Sequence, residues 1–133
     1  NYPCKEGDYG HHTYEYALYI HDGDDNKAKV DKVAYIFNSD FVMSSKEIML
    51  KNPLILNNEL IEYSCYKKKY KDDGLIVRLY ERNGKNVKLD LTKTSLKNKH
   101  LTLVNFLEEP LSEQIDGDIL EFKPFEVKTI WIH

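Results

Sequence analysis

Arginine is scarce in this chain, cysteine scarcer, and no long apolar run is present. Among 19 basic residues arginine occurs only at positions 78 and 82, so these two are worth following, because Arg suits paired and buried roles better than Lys. The two cysteines, Cys4 and Cys65, lie far apart and form no Cys-x-x-Cys pair. That excludes a disulfide-dense secreted scaffold and suggests reduced thiols in a cytoplasmic protein, with a single bridge between them left open. No Asn-x-Ser/Thr sequon occurs. No stretch nears the roughly 20 apolar residues needed to cross a bilayer, so no membrane partner is expected. There is no initiator Met and no signal peptide, and the chain reads as an excised segment. With 6 glycines and 4 prolines in 133 residues it is not low-complexity, and it is long enough for a real core. A formal net charge of −3 argues against nucleic acid as the main partner.

What is present is organised around residues 74–84, Gly-Leu-Ile-Val-Arg-Leu-Tyr-Glu-Arg-Asn-Gly. Turn residues bound a β-branched and aromatic strand. Leu75, Val77 and Leu79 point one way, and Ile76, Arg78 and Tyr80 the other. A lone Arg beside Ile and Tyr suits a face covered by another layer, paired there with a carboxylate such as Glu126 or Glu108. Snorkelling at a sheet edge is the other reading. After this strand Val87, Leu89 and Leu91 alternate with polar residues. Face parity predicts a hairpin with the three-residue loop Arg82-Asn83-Gly84. Glu81 then pairs with Lys85, Leu79 with Val87, Val77 with Leu89 and Leu75 with Leu91. Gly84 takes the left-handed position of that loop.

Elsewhere the chain shows both periods. His12, Tyr14, Tyr16, Leu18 and Ile20 alternate with Thr13, Glu15, Ala17 and Tyr19, which predicts a strand. The acidic run His21-Asp22-Gly23-Asp24-Asp25 lacks the ligand spacing and closing Glu of a calcium loop, and reads as a turn and helix cap. Val30, Val33, Ala34 and Phe37 then fall at helical spacing, giving one amphipathic helix over about 25–38, stopped by Asn38-Ser39. Residues 41–43 read as a short extended piece, and 47–56 as helix or strand. Further strands are expected over 60–66, 101–106, 119–122 and 125–132. The basic run Lys67-Lys68-Lys69-Tyr70-Lys71 reads as a solvated turn rather than a phosphate or nucleic-acid patch. The expected fold is mainly β: an antiparallel β-sandwich with one short amphipathic helix, a single domain over 1–133 with a β-hairpin core at about 60–133.

Chemistry is thin. A retaining glycosidase needs carboxyls about 5–5.5 Å apart. The adjacent pairs Glu108-Glu109, Asp72-Asp73 and Asp24-Asp25 either point to opposite faces of a strand or sit in turns. No nucleophile elbow, phosphate loop or zinc-like His/Cys spacing is present, so no catalytic and no metal residue is assigned.

Four segments in order resemble family 38 glycoside hydrolases, the α-mannosidases. Arg78-Leu79-Tyr80-Glu81 with Gly84 resembles that family's Arg-Leu-Tyr-Glu strand. Residues 8–18, Asp-Tyr-Gly-His-His-Thr-Tyr-Glu-Tyr-Ala-Leu, resemble its Asp-x-Gly-x-His-x-Phe-x-Tyr-Ala-Leu segment with one residue extra. Asn105-Phe106-Leu107-Glu108-Glu109-Pro110-Leu111 and Pro124-Phe125-Glu126-Val127-Lys128-Thr129-Ile130 resemble its Asn-Leu-Leu-Glu-Glu-Pro-Leu and closing Pro-Phe-Glu-Ile-x-Thr-Leu. The resemblance implies the C-terminal β portion, which packs on the catalytic part; the nucleophile, acid/base and zinc ligands belong to an N-terminal portion missing here. No cofactor is thus expected in this chain, and carbohydrate substrate only through the parent. Interface or buried-polar candidates are Asp8, His12, Arg78, Tyr80, Glu81, Glu108 and Glu126, with His12 matched because it shares a face with Tyr14 and Tyr16. Lys67 or Lys68, where the family has a lysine, is expected to find a local partner. An autonomous carbohydrate-binding module, using the many tyrosines, is the alternative function.

Overall fold

The computed structural model describes residue 7 and residues 9–40, 43–47 and 52–133, apart from the side chains of residues 113 and 114. Cys4, Asp8 and part of the expected 41–43 and 47–56 elements lie outside the described residues. The chain divides into two compact units, Asn1–Lys46 and Glu47–His133.

The second unit holds strands β1 (Ile61–Lys68), β2 (Leu75–Glu81), β3 (Val87–Asp90), β4 (Leu101–Val104), β5 (Pro110–Gln114), β6 (Ile119–Phe122) and β7 (Val127–Ile132). Five form an antiparallel sheet in the order β1-β2-β7-β4-β5, and β3 pairs with β6 in a second, two-stranded sheet. Register puts apolar residues beside apolar residues: Val77 pairs with Ile130, Leu103 with Ile130, Val87 with Phe122 and Leu89 with Leu120. Those side chains join Leu54, Leu56, Leu79, Leu91 and Leu96 in one buried cluster between the sheets. The expected β-sandwich is the fold.

The predicted β2–β3 hairpin is not formed. Both edges of β2 are taken, by β1 and β7, and β3 belongs to the other sheet. Val77 and Leu79 do meet Val87 and Leu89, but inside the core shared by the two sheets, not across a ladder. Alternation says which face is apolar; it does not distinguish a neighbour in the sheet from one across the core. The loop itself keeps part of the expected backbone: φ is +70° at Gly84, while Asn83 stays out of the left-handed region.

Two strand ends also shift. The strand begun at Leu101 stops at Val104 because Asn105 folds a turn. Its Oδ1 accepts from the N–H groups of Leu107 at 2.8 Å and Glu109 at 3.0 Å. That turn feeds β5, which the sequence pattern did not announce. The last strand starts at Val127 rather than 125, because Phe125 is left-handed at φ +57°.

In the first unit the helix α1 (Val30–Phe37) is shorter than expected. Residues 25–29 form the turn before it, with Asp24 Oδ1 accepting from Lys27 N at 2.8 Å. The predicted stop is present: Asn38 Nδ2 and Ser39 Oγ donate to the carbonyls of Ala34 at 2.8 Å and Tyr35 at 2.6 Å. Residues 12–20 form no strand. A strand exists only within a ladder, and this stretch belongs to neither sheet among the described residues.

Candidate functional site

The polar positions of the motifs gather around the five-stranded sheet. Glu81 ends β2 at 1 % exposure. Its Oε1 accepts from Asn83 N at 2.7 Å, and its Oε2 from Gly84 N at 2.8 Å and Phe125 N at 2.9 Å. Burial pushes this carboxyl up, but the backbone N–H groups of Phe125, Asn83, Lys85 and Gly84 outweigh it and hold it below the usual range. The side chain thus ties the exit from β2 to the entry of β7. Gly84 completes the arrangement: a Cβ there would lie 2.7 Å from Phe125 Cζ.

Glu126 supports the same turn, accepting from Lys123 N at 2.7 Å and pairing with Lys128 at 3.0 Å. Burial raises its carboxyl, and the Lys123 N–H with Lys128 brings it below the ordinary value. Glu108, left-handed at φ +67°, pairs with Lys67 and accepts from Tyr70 N at 2.7 Å. Lys67 and that N–H together lower its carboxyl. Lys67 is therefore the expected lysine with a local partner.

The basic run is not simply a solvated turn. Lys69 is buried, pairs with Asp72 and sits 4.7 Å from the Trp131 ring centre. Nothing in a run of lysines signals which one turns inward; Trp131, 62 residues on, decides it.

The Ile76, Arg78, Tyr80 face is covered in part. Ile76 is buried, and Arg78 and Tyr80 are half-buried. The expected pairing of Arg78 with Glu126 or Glu108 is corrected, since both acids are engaged elsewhere. Arg78 Nε instead donates to Thr129 Oγ1 at 3.1 Å, and its guanidinium lies 4.6 Å from the Phe106 ring centre. Register explains this, as Arg78 stands directly opposite Thr129 on β7. Tyr80 donates to Glu62 at 3.1 Å, and Arg82 pairs with the other oxygen of Glu62 at 3.1 Å. Burial, then Glu62, raises the Tyr80 phenol. Glu62 escaped the motif reading; its register opposite Tyr80 was the missing signal.

His12 belongs to the first unit, where it is exposed and stacked on Tyr14 at 6.2 Å between ring centres. Asp8 lies outside the described residues. Among the described residues no three His, Cys, Asp or Glu side chains converge as a metal set. Cys65 is a free, half-buried thiol. A shallow opening of about 360 Å³ lies between residues 69–72 and 107–110, lined by Tyr70, Leu107 and Glu108 among others.

A two-sheet antiparallel sandwich, with the motif acids Glu81, Glu108 and Glu126 accepting backbone N–H groups, defines a β-sandwich domain. The family model for the glycosyl hydrolases family 38 C-terminal beta sandwich domain matches residues 61–130, and the chain belongs to that family. It is also 28% identical over 139 residues to alpha-mannosidase G of Dictyostelium discoideum. That alignment covers 96% of this chain and 13% of the relative, so the chain spans a small part of that protein's length. No solved structure matches. Among the described residues no helix is long and apolar enough to cross a membrane.

Proposed function

We propose that the chain is the non-catalytic C-terminal β-domain of an α-mannosidase-like glycoside hydrolase. It packs against the catalytic portion of its parent and supports it, and the parent hydrolyses α-mannosidic bonds with groups, zinc included, carried elsewhere. Carbohydrate reaches this chain only through that parent, a cytoplasmic enzyme of carbohydrate metabolism. The observation that carries the reading is the match of residues 61–130 to the family 38 C-terminal sandwich model, and the condition of the acids agrees with it. A glycosidase needs a carboxyl held protonated, its pKa raised, to act on the leaving group. Here every displaced carboxyl among the described residues, at Glu81, Asp90, Glu108, Glu121 and Glu126, is displaced downward. Glu81, Glu108 and Glu126 are occupied by backbone N–H groups of this fold. Holding loops by these hydrogen bonds is a structural use of the acids, and it supports the reading.

The half-covered outer face of the five-stranded sheet, with Arg78 under Phe106 and the Glu62–Tyr80–Arg82 cluster, suits contact with a further layer. The test is turnover and binding by the purified chain. We expect no hydrolysis of an aryl α-mannoside, with or without added zinc, and no saturable binding of mannose oligosaccharides. Turnover that copurifies with the monomer removes the reading; saturable sugar binding replaces it with a carbohydrate-binding module.

A further inference from the structure

Asn83-Gly84 is the one Asn-Gly pair in the chain. Such a pair is chemically fragile, because a glycine without Cβ lets its peptide nitrogen close on the amide carbon of the preceding side chain. Here that nitrogen is held. Gly84 N donates to Glu81 Oε2 at 2.8 Å and Asn83 N to Glu81 Oε1 at 2.7 Å, so two consecutive N–H groups face one carboxylate. The carboxylate is itself fixed, buried and accepting from Phe125 N at 2.9 Å. The Phe125 ring closes on Gly84, 2.7 Å from where a Cβ would stand. Asn83 Oδ1 is enclosed and, among the described residues, accepts no hydrogen bond.

We propose that Asn83 is a latent deamidation site and that the Glu81 carboxylate is its lock. In the reaction Gly84 N gives its proton to solvent and bonds to Asn83 Cγ. The Cγ–Nδ2 bond then breaks, Nδ2 leaves as ammonia, and water opens the resulting cyclic imide to aspartate or isoaspartate at position 83. The fold opposes the first step twice over. The proton that must leave is the one given to Glu81, and the amide anion left behind would face a buried carboxylate 2.8 Å away. That carboxylate is held below its ordinary range, so it is a poor base for the proton. Attack would also place negative charge on Oδ1, where none of the described residues donates to it. Opening of the loop removes these obstacles together. The change is then one-way. Isoaspartate adds a methylene to the backbone between positions 83 and 84, and aspartate sets a charge where Oδ1 is enclosed. Either product weakens the tie between the exit from β2 and the entry of β7, so each opening of that junction risks lasting damage.

The test is conversion at position 83, read by mass and by isoaspartate mapping, in the folded chain and in a free peptide of residues 79–88 at the same pH and temperature. We expect conversion in the folded chain to be at least about 10-fold slower than in the peptide, with exchange of the Gly84 N–H slowed at least as much. Two variants, each kept well below its melting temperature, assign the cause. Glu81→Gln should lose most of the slowing. Leu103→Ala, which destabilises the core from β4 and leaves the loop intact, should keep it. Peptide-like conversion, or peptide-like Gly84 exchange, in the folded chain overturns the proposal, and neither measurement needs a variant to fold. Equal acceleration in the two folded variants overturns it as well, since the fold as a whole, and not Glu81, is then the lock.

Discussion

Replacing Glu81 by Gln probes the centre of the sandwich with almost no change in volume. The carboxylate receives N–H groups from Asn83 on one oxygen and from Gly84 and Phe125 on the other. An amide oxygen can keep one side of this set, and its NH2 then faces the remaining donor. Hydrogen bonds to a charged acceptor are worth about 1.5–3 kcal/mol and neutral ones about 0.5–1.5, so two retained bonds lose roughly 1 kcal/mol each. The third is lost and its buried N–H left unsatisfied, adding about 1–3 kcal/mol. The expected total is about 3–5 kcal/mol, a large share of the roughly 5–15 kcal/mol that holds a domain together. Urea unfolding of both proteins at neutral pH measures it as a lowered midpoint at unchanged slope. The pH dependence supplies a second check. The folded Glu81 carboxyl is lowered, so its contribution is present above the unfolded carboxylate pKa and is lost as pH falls through the folded value. The gap between wild type and Glu81→Gln should therefore be full at neutral pH and narrow in acid. A loss under about 1 kcal/mol at neutral pH, or a gap that widens in acid, would refute the reasoning.

Three further outcomes follow from the same geometry. Gly84→Ala should cost at least about 1–2 kcal/mol in urea unfolding, from a Cβ at φ +70° against the Phe125 ring. Asn83→Ala should cost clearly less, and equal losses would count against the loop described. Tyr80→Phe removes the hydroxyl given to Glu62 and should cost about 1 kcal/mol. Because the folded phenol is raised, its stabilisation is full below the unfolded pKa and lost as pH rises through the folded value, so the two proteins should converge in strong alkali. Arg78→Lys keeps the charge but not the planar stack on Phe106, and a drop of about 0.5–1 kcal/mol is expected. No change in melting temperature would show the stack to be idle.

Much of the β architecture was legible in local pattern. β1, β2, β3 and β6 sit close to where alternation predicted, and the helix ends at the Asn38-Ser39 stop. What alternation could not supply was the neighbour of each strand. The same apolar face on β3 satisfies a hairpin with β2 or a core contact across the sandwich, and the structure uses the second. The site divides in the same way. The motif marks Glu81 as an interface or buried polar residue, but its role depends on Phe125, 44 residues away and in a strained backbone. Arg78 was marked as needing company, and a hydroxyl and a ring provide it in place of an acid. The inward turn of Lys69 is only partly local, since Asp72, three residues on, pairs with it but the distant Trp131 ring completes its place. Residues 12–20 show the opposite case, a strong local alternation that forms no strand among the described residues.

The central claim is that this sandwich supports catalysis without performing it. Aryl α-mannoside turnover and thermal melting, measured on the parent polypeptide, on the parent with this segment deleted and on the isolated segment, test it together. The account predicts no turnover by the segment, and a deleted parent that melts lower and loses kcat/KM. Turnover by the pure segment, or a deleted parent with unchanged melting and unchanged kcat/KM, would contradict it.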